Sequence, residues 1–125
     1  MAHMAYEFPR AQIVGVELEP DNASLARMNV SPWNDRCAVI EAAVWTRDGI
    51  VTYDGCPGQE AGYKLVESGT EHAQAVSLNT LGERFGRPDY VKMDIEGAEA
   101  QVLVENTEWA QTVKGIGVEV HPPTP

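Results

Sequence analysis

The sequence has no long apolar run and few basic residues. No stretch approaches the roughly 18 consecutive apolar residues that would suggest a membrane span. Nine Lys and Arg residues stand against nineteen Asp and Glu residues, which gives the chain a formal net charge of −10. A surface this acidic repels phosphate backbones and anionic lipid headgroups at long range. We therefore expect neither nucleic acid nor a membrane as a partner.

Cysteine is scarce, and the N-terminus carries no secretion signal. The two cysteines, Cys37 and Cys56, could pair, but their number is far below that of a disulfide-stabilised domain. The start, Met1-Ala2-His3-Met4, has neither a charged n-region nor an apolar h-region. We therefore expect a cytoplasmic protein with reduced thiols. Residues 1–9 are interpreted as a vector-derived remnant followed by the tail of a preceding helix, and residues 10–125 as the domain itself.

Several catalytic and metal-binding motifs are absent too. The chain has no Gly-x-Ser-x-Gly nucleophile elbow, no Walker phosphate loop and no short spacing of its three histidines and two cysteines. These absences argue against an α/β-hydrolase, a P-loop nucleotide hydrolase and a metal site. What the chain does have is 43% hydrophobic residues in a length of 125, which is enough for the packed core of one small domain.

Apolar periodicity predicts an alternation of strands and helices. Residues 12–18 are mostly apolar and β-branched, which suits a strand buried on both faces of a parallel sheet. Further strands are predicted at residues 37–41, 90–95 and 115–120, and helices at residues 21–30, 78–86 and 98–105. This alternation indicates an α/β fold with a largely parallel sheet.

The middle of the chain has a different pattern. Asp48-Gly49 lies between the apolar runs 43–45 and 50–53, which is a strong signal for a β-hairpin. Residues 54–75 contain four glycines and one proline. They are interpreted as an insertion with at most one edge strand, at residues 63–66.

Acidic residues follow several of the predicted strands. In an open parallel sheet, ligands bind in the crevice beyond the carboxyl ends of the strands. Glu19 follows the first strand, where a carboxylate can accept hydrogen bonds from the two hydroxyls of a ribose. The same residue could instead favour the N-terminus of the next helix through the helix dipole. The sequence leaves both interpretations open.

Asp94, Glu96 and His121 are the candidate residues for catalysis. If strand geometry continued to the end of residues 90–96, both carboxylates would face one side, and Gly97 would let the backbone approach a ligand closely. Lys92 could pair with either carboxylate, and a structural salt bridge is the simpler interpretation of it. His121 ends the last strand, where a general base could lie, although histidines near a terminus are usually exposed to solvent.

Five segments of the sequence, in order, form a recognisable set. They are Val-Glu-Leu-Glu-Pro-Asp-Asn at 16–22, Ala-Ala-Val-Trp at 42–45 followed by Asp-Gly at 48–49, Val-Ser-Leu-Asn-Thr-Leu at 76–81, Asp-Tyr-Val-Lys-Met-Asp-Ile-Glu-Gly-Ala-Glu at 89–99, and Val-Glu-Val-His at 118–121. Together they resemble the FkbM family of S-adenosylmethionine-dependent methyltransferases. The resemblance covers nearly all of residues 10–122, and the segment at 89–99 is its most specific part. Asn79 departs from the pattern, in which aspartate is more usual.

The resemblance implies a fold, a reaction and a set of site residues. The fold would be a Rossmann-like class I methyltransferase sheet, and the reaction would move a methyl group from S-adenosylmethionine to a hydroxyl of a small molecule or sugar. The implied cofactor-binding residues are Glu19, Pro20, Asn22, Glu41, Ala42 and Ala43. Among them, Glu19 would contact the ribose and residues 41–43 would line the adenine. Asp94 and Glu96 would lie near the methionine moiety and the transferred methyl group, a carboxylate or His121 would take the hydroxyl proton, and no metal is implied.

One part of the family pattern is missing from this chain. A family member would have a first strand, a glycine-rich loop and a helix before Gln12, where the chain has only residues 1–11. The sheet is therefore expected to be incomplete, with the strands at 12–18 and 90–95 unpaired on their inner edges. We expect these edges to pair with each other or across a homodimer. Because cofactor binding is then expected to be weak or lost, the alternative function is a non-enzymatic module that binds a partner or self-associates through open sheet edges.

Overall fold

Helices and strands alternate through most of the chain, as the sequence predicts. The computed structural model describes residues 1–54, 64–65 and 70–120. It divides into two compact units, Met1–Ala43 and Val44–Pro125. The mixed α/β class is therefore confirmed for both units. Cys56, His121 and most of the predicted insertion lie outside the described residues.

The first unit is built around one parallel strand pair. Its elements are α1 (Ala2–Glu7), β1 (Ile13–Glu17), α2 (Pro20–Val30), a 3₁₀ helix (Ser31–Trp33) and β2 (Cys37–Glu41). β1 and β2 are parallel, in a register that runs from Ile13 opposite Cys37 to Glu17 opposite Glu41. α2 packs against both strands, so this unit is the strand–helix–strand half of the predicted fold.

The core of the first unit joins both helices to the strand pair. Ala5, Val30 and Cys37 are buried together, and Ile13 and Val39 pack against them. Side chains alternate between the two faces of a strand, so the packed helices lie on the face that carries these apolar residues. The expectation that β1 is buried on both faces is wrong, because all five of its residues are only half-buried.

The N-terminal helix α1 is held by a side chain from the start of β2. Arg36 donates hydrogen bonds to the backbone carbonyls of Phe8 at 3.1 Å and Ala11 at 3.0 Å, and to the carbonyl of Ala5. Of these carbonyls, that of Ala5 is in the last turn of α1, where carbonyls have no partner within the helix, and those of Phe8 and Ala11 belong to the segment that follows. α1 begins at Ala2, and the interpretation of residues 1–9 as a vector-derived remnant followed by the tail of a preceding helix stays a prediction.

The second unit combines an antiparallel sheet with another parallel strand pair. Its elements are β3 (Ala43–Val44, which begins at the unit boundary), β4 (Gly49–Asp54), β5 (Lys64–Leu65), β6 (Glu71–Val76), α3 (Leu78–Phe85), β7 (Tyr90–Met93), α4 (Glu99–Val102), a 3₁₀ helix (Thr107–Thr112) and β8 (Gly115–Val118). The four-stranded sheet has the order β3-β6-β4-β5, with β4 antiparallel to β5 and β6. β7 and β8 pair in parallel. Met93, Val102 and Trp109 form the buried core of this unit.

The predicted hairpin around Asp48-Gly49 is wrong. β6 lies between β3 and β4, and the Trp45 amide donates to the Val76 carbonyl at 3.1 Å. Residues 46–48 form a bend and not a hydrogen-bonded turn, and the Asp48 carboxylate accepts hydrogen bonds from the Ser77 amide and the Thr80 hydroxyl at the start of α3. A long-range contact thus replaces the local pairing that the dipeptide favours.

The prediction that residues 54–75 are an insertion with one edge strand is partly wrong. Lys64–Leu65 does pair at the sheet edge with Tyr53–Asp54, as expected for the run at 63–66. Glu71–Val76, however, is an inner strand whose first five residues pair with β4. Its inward positions are small alanines among polar residues, so its strand conformation depends on its neighbours more than on intrinsic propensity.

The described strands form three separate sheets where the sequence predicts one. β1 pairs with β2, and β7 pairs with β8. The expected pairing of the strands at 12–18 and 90–95, with each other or across a homodimer, stays a prediction. The predicted helix at 98–105 is also shorter: α4 ends at Val102, and the chain turns through Asn106, which has a φ of 51°.

Candidate functional site

The carboxyl ends of β1 and β2 lie side by side in the first unit. Glu17 is opposite Glu41 in the parallel register, and the Ala42 amide donates to the Glu17 carbonyl at 3.0 Å. The residues that follow the two strands are therefore brought together at one edge. This edge is where an open parallel sheet binds ligands.

Glu19 is the N-cap residue of α2. Its Oε2 accepts a hydrogen bond from the Asn22 amide at 2.7 Å, and its own amide donates to Oε1 of Glu17 at 2.9 Å. Pro20 takes the first helical position, where a proline costs no hydrogen bond. The helix-terminus interpretation is thus realised. Because an ionised carboxylate offers about four acceptor positions, capping leaves Glu19 with capacity for the hydroxyls of a ribose.

The remaining cofactor candidates of this unit differ in exposure. Glu41 is exposed and pairs with Nη1 of Arg27 at 3.6 Å, which links the end of β2 to α2. Ala42 and Ala43 are buried, with 6% and 4% of their surface exposed. Glu17 was not among the predicted site residues, yet its side chain orients the Glu19 backbone. The sequence signal that points to Glu17 is its position at the end of the predicted strand, two residues before Glu19.

In the second unit, the candidate residues Asp94 and Glu96 follow β7. The strand ends at Met93, and Glu96 adopts a left-handed conformation with φ of 54°. Strand geometry therefore does not continue, and the expectation that both carboxylates face one side for that reason is wrong. Lys92 lies 3.7 Å from Oδ2 of Asp94, and both side chains are exposed to solvent. The salt-bridge interpretation of Lys92 is confirmed.

Glu99 organises the loop that carries these two residues. Its side chain is buried, with 7% exposure. Its Oε1 accepts from the Ile95 amide at 2.9 Å, and its Oε2 accepts from the Gly97 amide at 2.8 Å. Glu99 was not among the predicted site residues, although an acidic residue in the first turn of a helix is a known signal for amide contacts.

The two bonds to Glu99 are strong enough to hold a strained backbone. A left-handed conformation costs a residue with a Cβ atom roughly 1–2 kcal/mol, and Glu96 is such a residue. Gly97, at a φ of 107°, meets no such penalty because it lacks a Cβ atom. Each hydrogen bond to a charged group contributes about 1.5–3 kcal/mol. Two such bonds are larger than the backbone cost at Glu96 alone, and they also compensate the burial of the Glu99 charge.

Asn79, where the family pattern favours aspartate, has a local structural explanation. Its Nδ2 donates to Oε2 of Glu108 at 2.8 Å and to the Asn106 carbonyl at 3.1 Å. The hydrogen bond from Asn79 holds the pKa of Glu108 below its ordinary value of 4.5. An aspartate at this position would have no N–H to donate and would place a second negative charge beside Glu108.

The last strand, β8, ends close to the loop that carries Asp94 and Glu96. The Glu119 amide donates to the Met93 carbonyl at 2.9 Å, which extends the pairing of β7 with β8 by one bond.

Within residues 1–54, 64–65 and 70–120, no group of three or more His, Cys, Asp or Glu side chains could hold a metal ion. The helices of that same part of the chain are all too short or too polar to cross a membrane.

Both units thus belong to an α/β protein with acidic residues immediately after parallel strands, a pattern typical of nucleotide-binding folds. The family model described as the methyltransferase FkbM domain matches residues 1–124. The chain therefore belongs to the FkbM methyltransferase domain family, and the match includes α1 as well as the strands. No significant match was found among curated proteins or among solved structures.

Proposed function

We propose that this domain binds S-adenosylmethionine and transfers its methyl group to a hydroxyl of a small molecule or sugar, in the cytoplasm. The observation that carries the proposal is the family match over residues 1–124. The acidic residues at or just after the ends of β1, β2 and β7 support it, because ligands of open parallel sheets bind beyond the carboxyl ends of the strands.

The chemistry of the acidic residues fits this cofactor. Glu19 can accept hydrogen bonds from vicinal ribose hydroxyls while it caps α2. Asp94 and Glu96 carry negative charge, which attracts the sulfonium and ammonium groups of S-adenosylmethionine. Glu41 with Ala42 and Ala43 offers one polar and two small side chains for the adenine. A residue set of this kind suits a ligand with a polar sugar and a cationic end.

The reaction places few chemical demands on the protein. When bound, S-adenosylmethionine supplies an electrophilic methyl carbon on a sulfonium, and the acceptor hydroxyl displaces the thioether to give a methyl ether. The protein has to hold the acceptor oxygen in line with that carbon. It also has to accept the hydroxyl proton, for which Asp94, Glu96 and His121 are the candidate bases.

We expect this chain to bind the cofactor weakly. Residues 1–12 contain no glycine, and α1 with its following turn occupies the stretch before β1. A glycine-rich turn at a helix N-terminus normally contributes backbone N–H groups to such a ligand. Since residues 1–12 supply no such turn, we propose that residues 1–125 by themselves bind with a Kd of roughly 0.1–1 mM, which corresponds to about −4 to −5.5 kcal/mol.

Calorimetric titration of the full chain with S-adenosylhomocysteine tests the proposal. We expect saturable heat in the high micromolar to millimolar range, with a smaller response to adenosine alone because adenosine lacks the cationic amino acid group. An absence of heat with millimolar S-adenosylhomocysteine and S-adenosylmethionine would overturn cofactor binding by this chain.

A second candidate function is an assembly module without catalysis. The support is that β1 pairs on one edge with β2 and that every residue of β1 is half-buried. A strand edge with unpaired N–H and C=O groups can add a strand from another chain. Sedimentation across a range of protein concentrations tests it. A dimer that forms with rising concentration supports the module, and a monomer at every concentration contradicts self-association.

A further inference from the structure

Both carboxylate oxygens of the buried Glu99 are bonded to the backbone on the two sides of Glu96. Oε1 accepts from the Ile95 amide at 2.9 Å and Oε2 from the Gly97 amide at 2.8 Å. Only 7% of the Glu99 surface is exposed. A buried carboxylate is costly unless hydrogen bonds compensate its charge. The loop amides supply those bonds, and the carboxylate in turn fixes the loop backbone.

These contacts differ from an ordinary helix cap. A cap accepts hydrogen bonds from the first amides of its own helix, whereas the amides of Ile95 and Gly97 both precede Ala98, the N-cap of α4. The backbone bond across this turn, from the Ala98 amide to the Ile95 carbonyl, is long at 3.4 Å. The Glu99 side chain therefore holds the loop rather than the helix.

The two bonded amides determine how the candidate carboxylates are oriented. The Ile95 N–H belongs to the peptide plane that joins Asp94 to Ile95, and the Gly97 N–H belongs to the plane that joins Glu96 to Gly97. Each bond from Glu99 thus fixes the peptide plane directly after one candidate residue. The same bonds hold Glu96 at a φ of 54°, which sets the direction of its side chain.

We infer that Glu99 is a positioning residue for the methyl-transfer site: its buried carboxylate orients Asp94 and Glu96 through the two intervening backbone amides. The inference rests on the proposed function for its catalytic meaning. The orientation of the two side chains can be measured whether or not the cofactor binds. Glu99 itself takes no part in the reaction.

The test compares Glu99→Gln with Glu105→Gln in the full chain. Glutamine keeps one acceptor oxygen but turns an NH2 group toward a backbone N–H, so one of the two bonds is lost. Glu105 is exposed and lies six residues further on, so its substitution removes the same charge without touching the loop. Glu99→Asp is the second variant, because its shorter side chain keeps the charge but cannot span both amides.

Two readouts separate positioning from a purely structural role. In nuclear magnetic resonance spectra, Glu99→Gln and Glu99→Asp should shift the carboxyl carbon resonances of Asp94 and Glu96 and speed the exchange of the Ile95 and Gly97 amides. Glu105→Gln should change neither.

In titrations, Glu99→Gln should weaken S-adenosylhomocysteine binding by roughly tenfold or more, as expected when a group that contacts the ligand is misplaced. Adding Glu99→Gln to Glu96→Gln should weaken binding less than the two single effects multiplied together.

The outcomes distinguish this inference from the proposed function. If the wild-type chain binds no S-adenosylhomocysteine, the proposed function fails, and the carboxyl and amide resonances alone decide whether Glu99 orients the loop. If Glu99→Gln lowers the melting temperature but leaves those resonances and the affinity as they are in Glu105→Gln, Glu99 is merely structural and the inference is overturned.

Discussion

The Asp48 carboxylate accepts a hydrogen bond from the Thr80 hydroxyl at 2.7 Å, and this contact joins the segment after β3 to the start of α3. The other oxygen of Asp48 accepts from the Ser77 amide, also at 2.7 Å. Ser77 is in turn the N-cap of α3, with its hydroxyl accepting from the Thr80 amide. Two side chains therefore accept hydrogen bonds at the start of α3: the local Ser77 hydroxyl and the distant Asp48 carboxylate.

We predict that Asp48→Asn destabilises the protein in a pH-dependent way. Hydrogen bonds from Thr80 and from the Ser77 backbone lower the pKa of Asp48 below its ordinary value of 3.8. A lowered pKa stabilises the fold above the unfolded value, and this contribution is lost as the pH falls through the folded value. At pH 7 the substitution should cost about 1 kcal/mol.

Urea unfolding over a series of pH values from 7 downward through the ordinary Asp pKa of 3.8 checks this prediction. The difference between wild type and Asp48→Asn should shrink as the pH falls, because protonation of folded Asp48 removes the contribution of its charge. Asp35→Asn, at an exposed position, is the control and should have little effect at any pH of the series. An equal loss for Asp48→Asn at every pH would contradict the role of its charge.

We predict that Asn79→Asp lowers the melting temperature at neutral pH. The substitution removes the donor to Glu108 and the Asn106 carbonyl and places two carboxylates in contact, which raises the pKa of one of them. The loss should lessen as the pH falls below about 4, when the carboxylates become protonated. Thermal unfolding followed by circular dichroism measures it, with the exposed Asn34→Asp as control. A melting temperature unchanged at pH 7 would show that the contact contributes nothing.

We predict opposite outcomes for two valines that lie two residues apart. Val102 is 2% exposed in the core with Met93 and Trp109, whereas Val104 is 75% exposed. Val102→Ala removes two methyl groups and leaves a cavity, so it should cost about 2 kcal/mol. Val104→Ala should stay within about 0.5 kcal/mol of wild type. Chemical denaturation of both variants tests the pair, and similar losses for both would place Val102 outside a packed core.

We predict that two substitutions at Glu19 separate its capping role from ligand binding. Glu19→Asn keeps a good N-cap, so stability should change by less than about 0.5 kcal/mol, while Glu19→Ala should lose about 1 kcal/mol. Both variants lose the carboxylate, so both should bind S-adenosylhomocysteine roughly tenfold more weakly, or about 1.4 kcal/mol. Calorimetry and urea unfolding measure the two effects. Wild-type affinity in Glu19→Asn would show that Glu19 is only a cap.

Much of the fold was predictable from local sequence. The helix at Pro20–Val30 and the Ser77 cap of α3 lie where the turn and capping residues placed them. Strand β2 at Cys37–Glu41 agrees with its apolar run. These features depend on residues close in sequence, such as a proline at the first helical position or a serine before a helix. Local chemistry is enough to define them.

The predictions made from the sequence were wrong where contacts between distant residues decide the structure. Asp48-Gly49 has the sequence of a hairpin turn, but β6 separates the two strands beside it. β6 itself was missed because Ala73 and Ala75 carry little apolar signal, and it exists through its pairing with β4. A strand of low propensity can be stabilised by its neighbours, and periodicity within one segment cannot reveal those neighbours.

The sequence by itself determined the family, the alternation of helices and strands, and the acidic residues at the strand ends. Tertiary structure alone decided which of those acids are engaged by the fold. Glu19 caps a helix and Asp94 pairs with Lys92, while Glu99, which the sequence did not single out, is buried against two backbone amides. The reason is physical: a carboxylate has the same acceptors everywhere in the sequence, and only the folded backbone decides which donors reach them.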